Sequence, residues 1–218
     1  MVKSSTRPAR APLSRERILN AAIELADEDG IEALTMRRLG RRLGVEAMSL
    51  YNHVTDKDDI IDGMVELITA EFEVPTGTAD WRATIRSSTI SAHQVFRRHP
   101  WASSVIESRA RTGPNRLRLL EATIGVLAGA GFPMPVVIRT LMALDSHTYG
   151  FTMQELALPF DSASAAGVAE EMAMRVFADG YPNLAAMAEL TMLGAQLLDF
   201  EFGMDLLLDG LERLRPAG

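Results

Sequence analysis

The sequence predicts an all-α protein, with a three-helix, helix-turn-helix domain followed by a larger helical domain. Apolar residues recur at helical spacing, and no segment alternates polar and apolar residues as a half-buried strand does. Turn signals rich in glycine and proline fall about one helix length apart. We therefore predict a disordered basic tail over 1–13, the helix-turn-helix domain over 14–57 and the helical domain over 58–218.

Charge is distributed unevenly along the chain. Residues 1–57 contain ten Lys/Arg and eight Asp/Glu, whereas the remaining residues contain twelve and twenty-one, so that a mildly basic segment precedes an acidic one in a chain of net charge −7. Four arginines fall within the six positions 37–42. This pattern suggests an anionic partner for the N-terminal domain, although a solvated charged helix would give the same pattern.

The N-terminal domain is predicted to contain three helices. Ser14 can cap a helix that runs to about Asp29, and Gly30 suits the position that ends it. Thr35 can cap a second helix, which Gly44 ends after two turns. A third helix is predicted from Val45–Glu46 to about His53. Two short helices that meet at a tight glycine turn are typical of a helix-turn-helix DNA reader.

The second domain is predicted to consist of helices alone. Their expected bounds are 56–72, 81–98, 101–108, 115–128, 135–156 and 163–178, followed by helices to the C-terminus. Within 197–214 the apolar residues step by 3, 4, 3, 4 and 3, which is a heptad pattern, and the helix over 135–156 is apolar on most sides. Such helices can be internal to one protomer, or they can pack on their own core and on a partner.

The segment "LSRERILNAAIELADEDGIEALTMRRLGRRLGVEAMSLYNHVTDKDDIIDGM" resembles the N-terminal DNA-binding domain of the TetR family of transcriptional regulators. The ordered set "GIEALTMRRLGRRLGV", then "SLYNHV", then a lysine carries this resemblance. The later "FEFGMDLLLDGLERL" is similar to the last helix of the tetracycline-repressor-like branch. Gly40 departs from the family, which usually has alanine there. Because glycine costs about 1 kcal/mol inside a helix, we expect a looser second helix.

The resemblance and the helix geometry together imply a set of DNA contacts. Arg37 is expected to reach a guanine edge, and Thr35 to bind a phosphate at a helix N-terminus. Tyr51 is expected at a phosphate, with packing on the first helix as its alternative. The whole predicted DNA-binding set is Thr35, Arg37, Glu46, Ala47, Met48, Ser49, Tyr51, His53 and Lys57. Generic electrostatics or solvation is expected for Arg38, Arg41 and Arg42.

In the family, the two apolar helices form a four-helix dimer interface, so the resemblance implies a homodimer. The interface residues predicted here are Leu141, Met153, Phe200, Met204, Leu207, Leu211 and Leu214. A dimer would place one reading head on each half of a palindromic operator.

The second domain is expected to bind a small effector. It has many methionines and few strong polar anchors, which suits an adaptable apolar ligand, although a filled core has the same composition. The predicted pocket residues are Ser88, Ala92, Phe96, Trp101, Val105, Leu120, Ile124, His147 and Thr148. His147 is either a polar anchor or a core histidine with its own hydrogen bonds. By approximate alignment, the family's tetracycline-binding asparagine, phenylalanine and histidine fall at Ser88, Ala92 and near Glu73, which argues against tetracycline and against a magnesium-chelated ligand.

No catalytic motif stands out, and neither a metal site nor a cofactor is predicted. The chain has no cysteine, no signal peptide is apparent at its N-terminus, and its longest uncharged run is broken by glycine and proline. We expect a cytoplasmic, non-enzymatic, ligand-responsive repressor that binds double-stranded operator DNA as a homodimer, with no membrane partner. The alternative is an all-helical binding or scaffold protein with a vestigial DNA-binding head.

Overall fold

The computed structural model describes residues 12–77, 79–109, 113–157, 174–175, 180–192 and 198–216, and their elements are helical. The helices are α1 (Arg15–Asp29), α2 (Met36–Leu43), α3 (Ala47–Leu50), α4 (Lys57–Ala70), α5 (Trp81–Arg98), α6 (Ala102–Ser108), α7 (Pro114–Gly129), α8 (Met134–Ala157), α9 (Pro182–Met192) and α10 (Phe200–Glu212). The predicted all-α class is therefore confirmed. Most of the predicted tail, Leu197 and the predicted helix over 163–178 (except residues 174 and 175) lie outside the described residues.

The chain divides into two compact units. The first, which we call the head, contains residues 1–70 and 98–116 and therefore α1–α4 and α6. The second, which we call the body, contains residues 71–97 and 117–218 and therefore α5 and α7–α10. Among the described residues, no helix is long and apolar enough to cross a membrane.

The helix ends of the head are set by the capping residues that the sequence predicts. The Ser14 hydroxyl accepts a hydrogen bond from the Arg17 N–H at 3.3 Å, and the Thr35 hydroxyl accepts one from the Arg38 N–H at 3.2 Å. Gly44 has φ 68°, a left-handed conformation that costs glycine little and that ends α2. These local bonds fix where the two reading helices begin and turn.

The third helix is shorter than predicted. Its α-helical part ends at Leu50, and the N–H groups of Tyr51 and His53 donate to carbonyls three residues earlier, at 3.3 and 2.9 Å. The predicted end at about His53 is therefore wrong for an α-helix, because the last turn tightens into i→i+3 bonding. Val54, which follows, is buried.

Gly40 permits a close contact between α2 and the start of α3. A Cβ at this position would lie 2.9 Å from the Val45 carbonyl oxygen, and the Val45 N–H donates to the Gly40 carbonyl at 2.9 Å. The missing side chain therefore lets the two reading helices approach tightly. The expected looseness of α2 stays a prediction, and the structure adds a packing reason for the glycine at this position.

The body has an apolar core around Trp81, Leu127, Val137, Phe200 and Met204. Two histidine rings complete it by stacking on Phe200, with centroid distances of 4.0 Å for His93 and 4.7 Å for His147. Burial lowers the pKa of His93, and the Glu155 carboxylate, 3.3 Å from its Nε2 atom, only partly opposes this shift. His93 therefore favours its neutral form in this core.

Gly203 of α10 lies close against the ring of His147 in this core. A Cβ there would lie 2.5 Å from Cε1 of His147, whose Nε2–H donates to the Phe200 carbonyl at 3.0 Å. The ring cannot move aside without losing this hydrogen bond. Gly203→Ala should therefore lower the free energy of unfolding by about 1–3 kcal/mol, as overpacking does. Denaturant unfolding at a fixed protomer concentration would measure the change.

Gly125→Ala provides the matched control. Gly125 lies inside α7, and a Cβ there meets no described atom within 4 Å. Helix propensity alone should make this variant more stable by up to about 1 kcal/mol. Equal destabilisation in both variants would contradict the steric role of Gly203.

Candidate DNA-reading face and effector cavity

The head brings most of the predicted DNA contacts to exposed positions. Seven are exposed: Thr35, Arg37, Glu46, Met48, Tyr51, His53 and Lys57. Ala47 and Ser49 are half-buried at the start of α3. Met48 is 75% exposed, so its side chain adds little to the head's own core. This exposure is compatible with DNA contacts, and the roles of these residues in DNA binding stay predictions.

The arginines of α2 fall into two groups. Arg42 pairs with Glu28 at 2.6 Å and with Glu24 at 3.1 Å, and Arg38 pairs with Asp29. The two glutamates raise the pKa of Arg42 through these hydrogen bonds. Arg37, by contrast, is exposed and forms no ion pair with the part of the chain that the structure describes. Of the arginines predicted to act by charge alone, Arg38 and Arg42 are thus largely neutralised by α1.

Thr35 is placed for a double role. Its oxygen accepts the capping bond from the Arg38 N–H, which uses a lone pair and leaves the hydroxyl proton available.

Lys57 begins α4 and is exposed. The carboxylate of Asp59 holds the next turn. It accepts hydrogen bonds from the Arg15 guanidinium at 2.6 and 2.8 Å and from the Thr55 N–H at 2.9 Å. These bonds lower the pKa of Asp59 to about 2 and fix the start of α4 against α1.

Trp101 belongs to the head, so its predicted place in the ligand pocket is wrong. Its ring is 5% exposed, and its Nε1–H donates to Asp27 of α1 at 2.7 Å. His99 Nδ1 lies 2.9 Å from the same carboxylate. A buried indole N–H requires an acceptor, and α1 supplies it. Val105 also belongs to this unit, where it is buried in α6 and does not line the body cavity.

The body contains a cavity of about 70 Å³ between α5, α7 and α8. Of the predicted pocket residues, it brings together Ser88, Ala92, Phe96, Leu120 and Thr148. It is also lined by residues that were not predicted there: Phe72, Thr89, Leu119, Thr123, Leu144, Asp145 and Tyr149.

Three predicted positions differ from the structure in the same region. Leu141 lines the cavity although it was predicted at the dimer interface. Ile124 packs against the apolar core instead of lining the cavity. His147 bonds to the Phe200 carbonyl and is the core histidine of the two alternatives. A signal existed for the α8 wall, because 141, 144, 145, 148 and 149 follow helical i, i+3, i+4 spacing on one face.

Phe200 and Met204 also differ from their predicted interface positions. They are 6% and 0% exposed in the protomer and pack in its own core together with Leu208. The heptad pattern identified an apolar face, but the three-dimensional packing turns that part of it inward. Leu207, Leu211 and Leu214 instead border an open groove of about 570 Å³ between α8 and α10, while Met153 is exposed.

Several large apolar side chains of the same two helices are exposed. They are Ile138, Met142 and Met153 on α8, Phe202 and Leu206 on α10, and Leu214 two residues after the end of α10. A cluster of exposed apolar residues on helix surfaces is typical of a protein–protein contact. Among the described residues, no group of three or more His, Cys, Asp or Glu side chains could hold a metal ion.

Two short helices that meet at a left-handed glycine, with exposed polar residues on either side of the second, define a helix-turn-helix DNA-binding protein with a separate helical body. The family described as "Bacterial regulatory proteins, tetR family" matches residues 18–64, and "Tetracyclin repressor-like, C-terminal domain" matches residues 74–215. The chain belongs to the TetR family of bacterial regulatory proteins.

Its relatives include repressors and ligand complexes. The transcriptional repressor DrrR1 of Streptomyces coeruleorubidus is 31% identical over 95% of this chain and 82% of its own length. The class C tetracycline repressor protein of Escherichia coli is 29% identical over 93% and 92%. ActR of Streptomyces coelicolor in complex with actinorhodin superposes with a TM-score of 0.79, at 25% identity over 93% of this chain and 96% of that one. The chain is a ligand-responsive, DNA-binding transcriptional repressor that acts as a dimer on operator DNA.

Proposed function

We propose that this repressor holds a palindromic operator through its head and is released when a small, largely apolar effector enters the body cavity. The observation that carries the proposal is that the two units have different features, an exposed arginine in the head and a cavity in the body. The head has an exposed Arg37 in the first turn of α2 that forms no ion pair with the described residues, whereas the body has a cavity lined in part by Phe72, Phe96 and leucines. The rival, a binding or scaffold protein with a vestigial head, does not require Arg37 to be exposed and to lack an ion pair within the described part of the chain.

The DNA contacts are proposed from exposure and helix position. Arg37 reads a guanine edge, and Met48 contacts a thymine methyl group or the groove surface. Thr35, Tyr51, His53 and Lys57 bind phosphates, while Glu46, Ala47 and Ser49 line the groove-facing start of α3. Phosphate contacts set the position and base contacts set the sequence preference.

The dimer is proposed to form on the exposed apolar faces of α8 and α10. The groove between these helices is lined by Leu206, Leu207, Leu211 and Leu214, and both Leu206 and Met142 are exposed. In a dimer with two-fold symmetry, each protomer would contribute the same surface patch to the interface. The two heads would then enter successive major grooves, which are about 34–36 Å apart.

Effector entry is proposed to enlarge the body cavity. Its volume of about 70 Å³ is well below the roughly 300–1,000 Å³ of sites for drug-sized ligands. A ligand that binds the enlarged body better shifts the population toward it. If that form spaces the heads wrongly for the operator, the ligand releases DNA.

The effector is proposed to differ from magnesium-bound tetracycline. Ser88, where the family has an asparagine, donates its hydroxyl proton to the Glu73 carbonyl at 2.6 Å. The Glu73 carboxylate receives the Ser87 hydroxyl at 2.8 Å. These bonds occupy groups that a drug would need, and no metal or catalytic step is part of the proposal. The site of action is proposed to be the cytoplasm, where the operator is.

A gel-shift titration on the intergenic DNA upstream of the chain's own gene tests the function. We expect one dimer per operator, a preference over unrelated DNA of about 10³-fold or more, and a strong salt dependence. A releasing compound should lower the affinity of the protein for the operator, typically by about 5–150-fold. By linkage, the same compound should bind the protein–operator complex more weakly than the free protein by that same factor. Equal affinity for that DNA and for unrelated DNA of equal length would favour the vestigial head.

A further inference from the structure

The four arginines of α2 form two stripes on different faces of the helix, because residues four apart share a face. Arg38 and Arg42 form one stripe, and both are paired with acidic residues of α1. Arg37 and Arg41 form the other stripe. Both are exposed, and their guanidinium groups form no hydrogen bond or ion pair with the described part of the chain. We call these pairs the 38/42 stripe and the 37/41 stripe.

The 37/41 stripe lies on the side of α2 that is nearer to α3. Gly40 marks this side, because a Cβ there would lie 2.9 Å from the Val45 carbonyl oxygen, in the turn that leads into α3. With 3.6 residues per turn, Arg37 and Arg41 are roughly 60° and 100° around the helix from Gly40, whereas both members of the 38/42 stripe are roughly 160° away. The two stripes therefore flank the outer surface of α2, one toward the reading helix and one toward α1.

The acidic residues of α1 compensate one of these stripes and not the other. Glu24, Glu28 and Asp29 all pair with the 38/42 stripe. The 37/41 stripe keeps two positive charges that no described residue neutralises. A cation gains DNA affinity when it neutralises a phosphate and releases its counterions, and a cation that is already paired must first lose its partner. The 37/41 stripe is therefore the part of α2 that is suited to DNA.

We propose that Arg41 binds a backbone phosphate at the edge of the groove whose bases Arg37 reads. This inference rests on the proposed function, because it takes the head as the part that holds the operator. The first helix of a helix-turn-helix crosses the DNA backbone, and Arg41 is one turn, about 6 Å, further along it than Arg37. If Arg37 reaches a base edge, Arg41 meets the phosphates that border the groove. Its planar fork can donate two parallel hydrogen bonds to one phosphate, so this is a defined contact and not a general effect of charge.

Fluorescence anisotropy tests this contact with the full-length dimer, the operator fragment found by the gel shift and an unrelated duplex of equal length. At about 0.15 M salt, Arg41→Ala should weaken binding to both duplexes by at least about tenfold, because a hydrogen bond to a charged group is lost in each protomer. The salt slope should fall by about 1 for each protomer bound. The base preference should stay as it is in the wild type, in contrast to that of Arg37→Ala.

Two variants separate a phosphate contact from the general field of the head. Arg42→Ala removes an equal charge from the next position, but from a residue paired with Glu24 and Glu28. Charges that do not touch DNA are largely screened beyond about 8 Å at this salt concentration, so we expect less than about a threefold loss and an unchanged salt slope. Arg41→Lys keeps the charge and loses the fork. It should keep the salt slope while weakening binding several-fold, and it tests the contact even if Arg41→Ala fails to fold.

Equal losses in Arg41→Ala and Arg42→Ala, an unchanged salt slope in Arg41→Ala, an altered base preference in that variant, or wild-type affinity in Arg41→Lys would overturn the phosphate contact. The wild-type titrations keep the proposed function separate. If the wild type prefers the operator to the unrelated duplex while the variants behave in any of these ways, only the inference fails. If the wild type has no such preference, the proposed function fails instead.

Discussion

Replacing Leu206 by aspartate is expected to convert the dimer into monomers and to abolish operator binding. Leu206 is 57% exposed in the protomer, so the substitution should leave the protomer folded. In the proposed dimer the new charge would be desolvated against an apolar partner, which costs about 3–5 kcal/mol for an unpaired buried charge. Because the proposed dimer has two-fold symmetry, each protomer contributes one such charge to the interface, and the cost arises twice. Light scattering would measure the mass, and a gel shift would measure operator binding.

Two variants make this result specific. Leu206→Arg should give the same monomer, which excludes an accidental ion pair with Arg139 or Arg213 at the groove. Leu117→Asp places the same charge at an equally exposed leucine of α7 and should remain dimeric. Leu206 is a cleaner probe than Leu207, which is half-buried in the protomer. An intact dimer for both Leu206 variants would remove this face of α10 from the interface.

Arg37→Ala is expected to weaken operator binding by about 1–3 kcal/mol and to relax the base preference at one position in each half-site. Arg37 lies in the first turn of α2 and is exposed, and no ion pair with any described residue neutralises it. A guanidinium in this state can form two parallel hydrogen bonds to guanine O6 and N7. Binding to a library of operator variants would measure both effects.

Two substitutions in the same head separate base reading from charge. Lys57→Ala should weaken binding to all sequences about equally and reduce the salt slope by about 1, because a phosphate contact is lost. Arg42→Ala removes the same kind of side chain as Arg37 from the same helix, but from a residue paired with Glu24 and Glu28. It should lower the stability of the head while changing base preference little. A change of base preference in Lys57→Ala, with an unchanged salt slope, would contradict these roles.

The sequence determined the features that depend on neighbouring residues. Ser14 and Thr35 cap helices because their hydroxyls reach an N–H three residues later, and Gly44 ends α2 because it accepts a positive φ. The helix over 81–98 was predicted with the bounds that α5 has. Local hydrogen bonding and apolar periodicity contain this information, so the positions of α1, α2 and α5 followed from them.

Only the tertiary structure decided which surface each apolar or polar face meets. Periodicity indicates that a face is buried, but it does not name the neighbour that buries it. Trp101 was therefore predicted in a ligand pocket, whereas its indole N–H found Asp27 in the head. Met204 was predicted at a partner's surface, whereas it packs in the protomer's own core. The pairing of Arg42 with α1, and the direction of the Ser88 hydroxyl in the cavity, likewise depend on contacts between residues distant in sequence or on side-chain rotamers, which the sequence pattern does not specify.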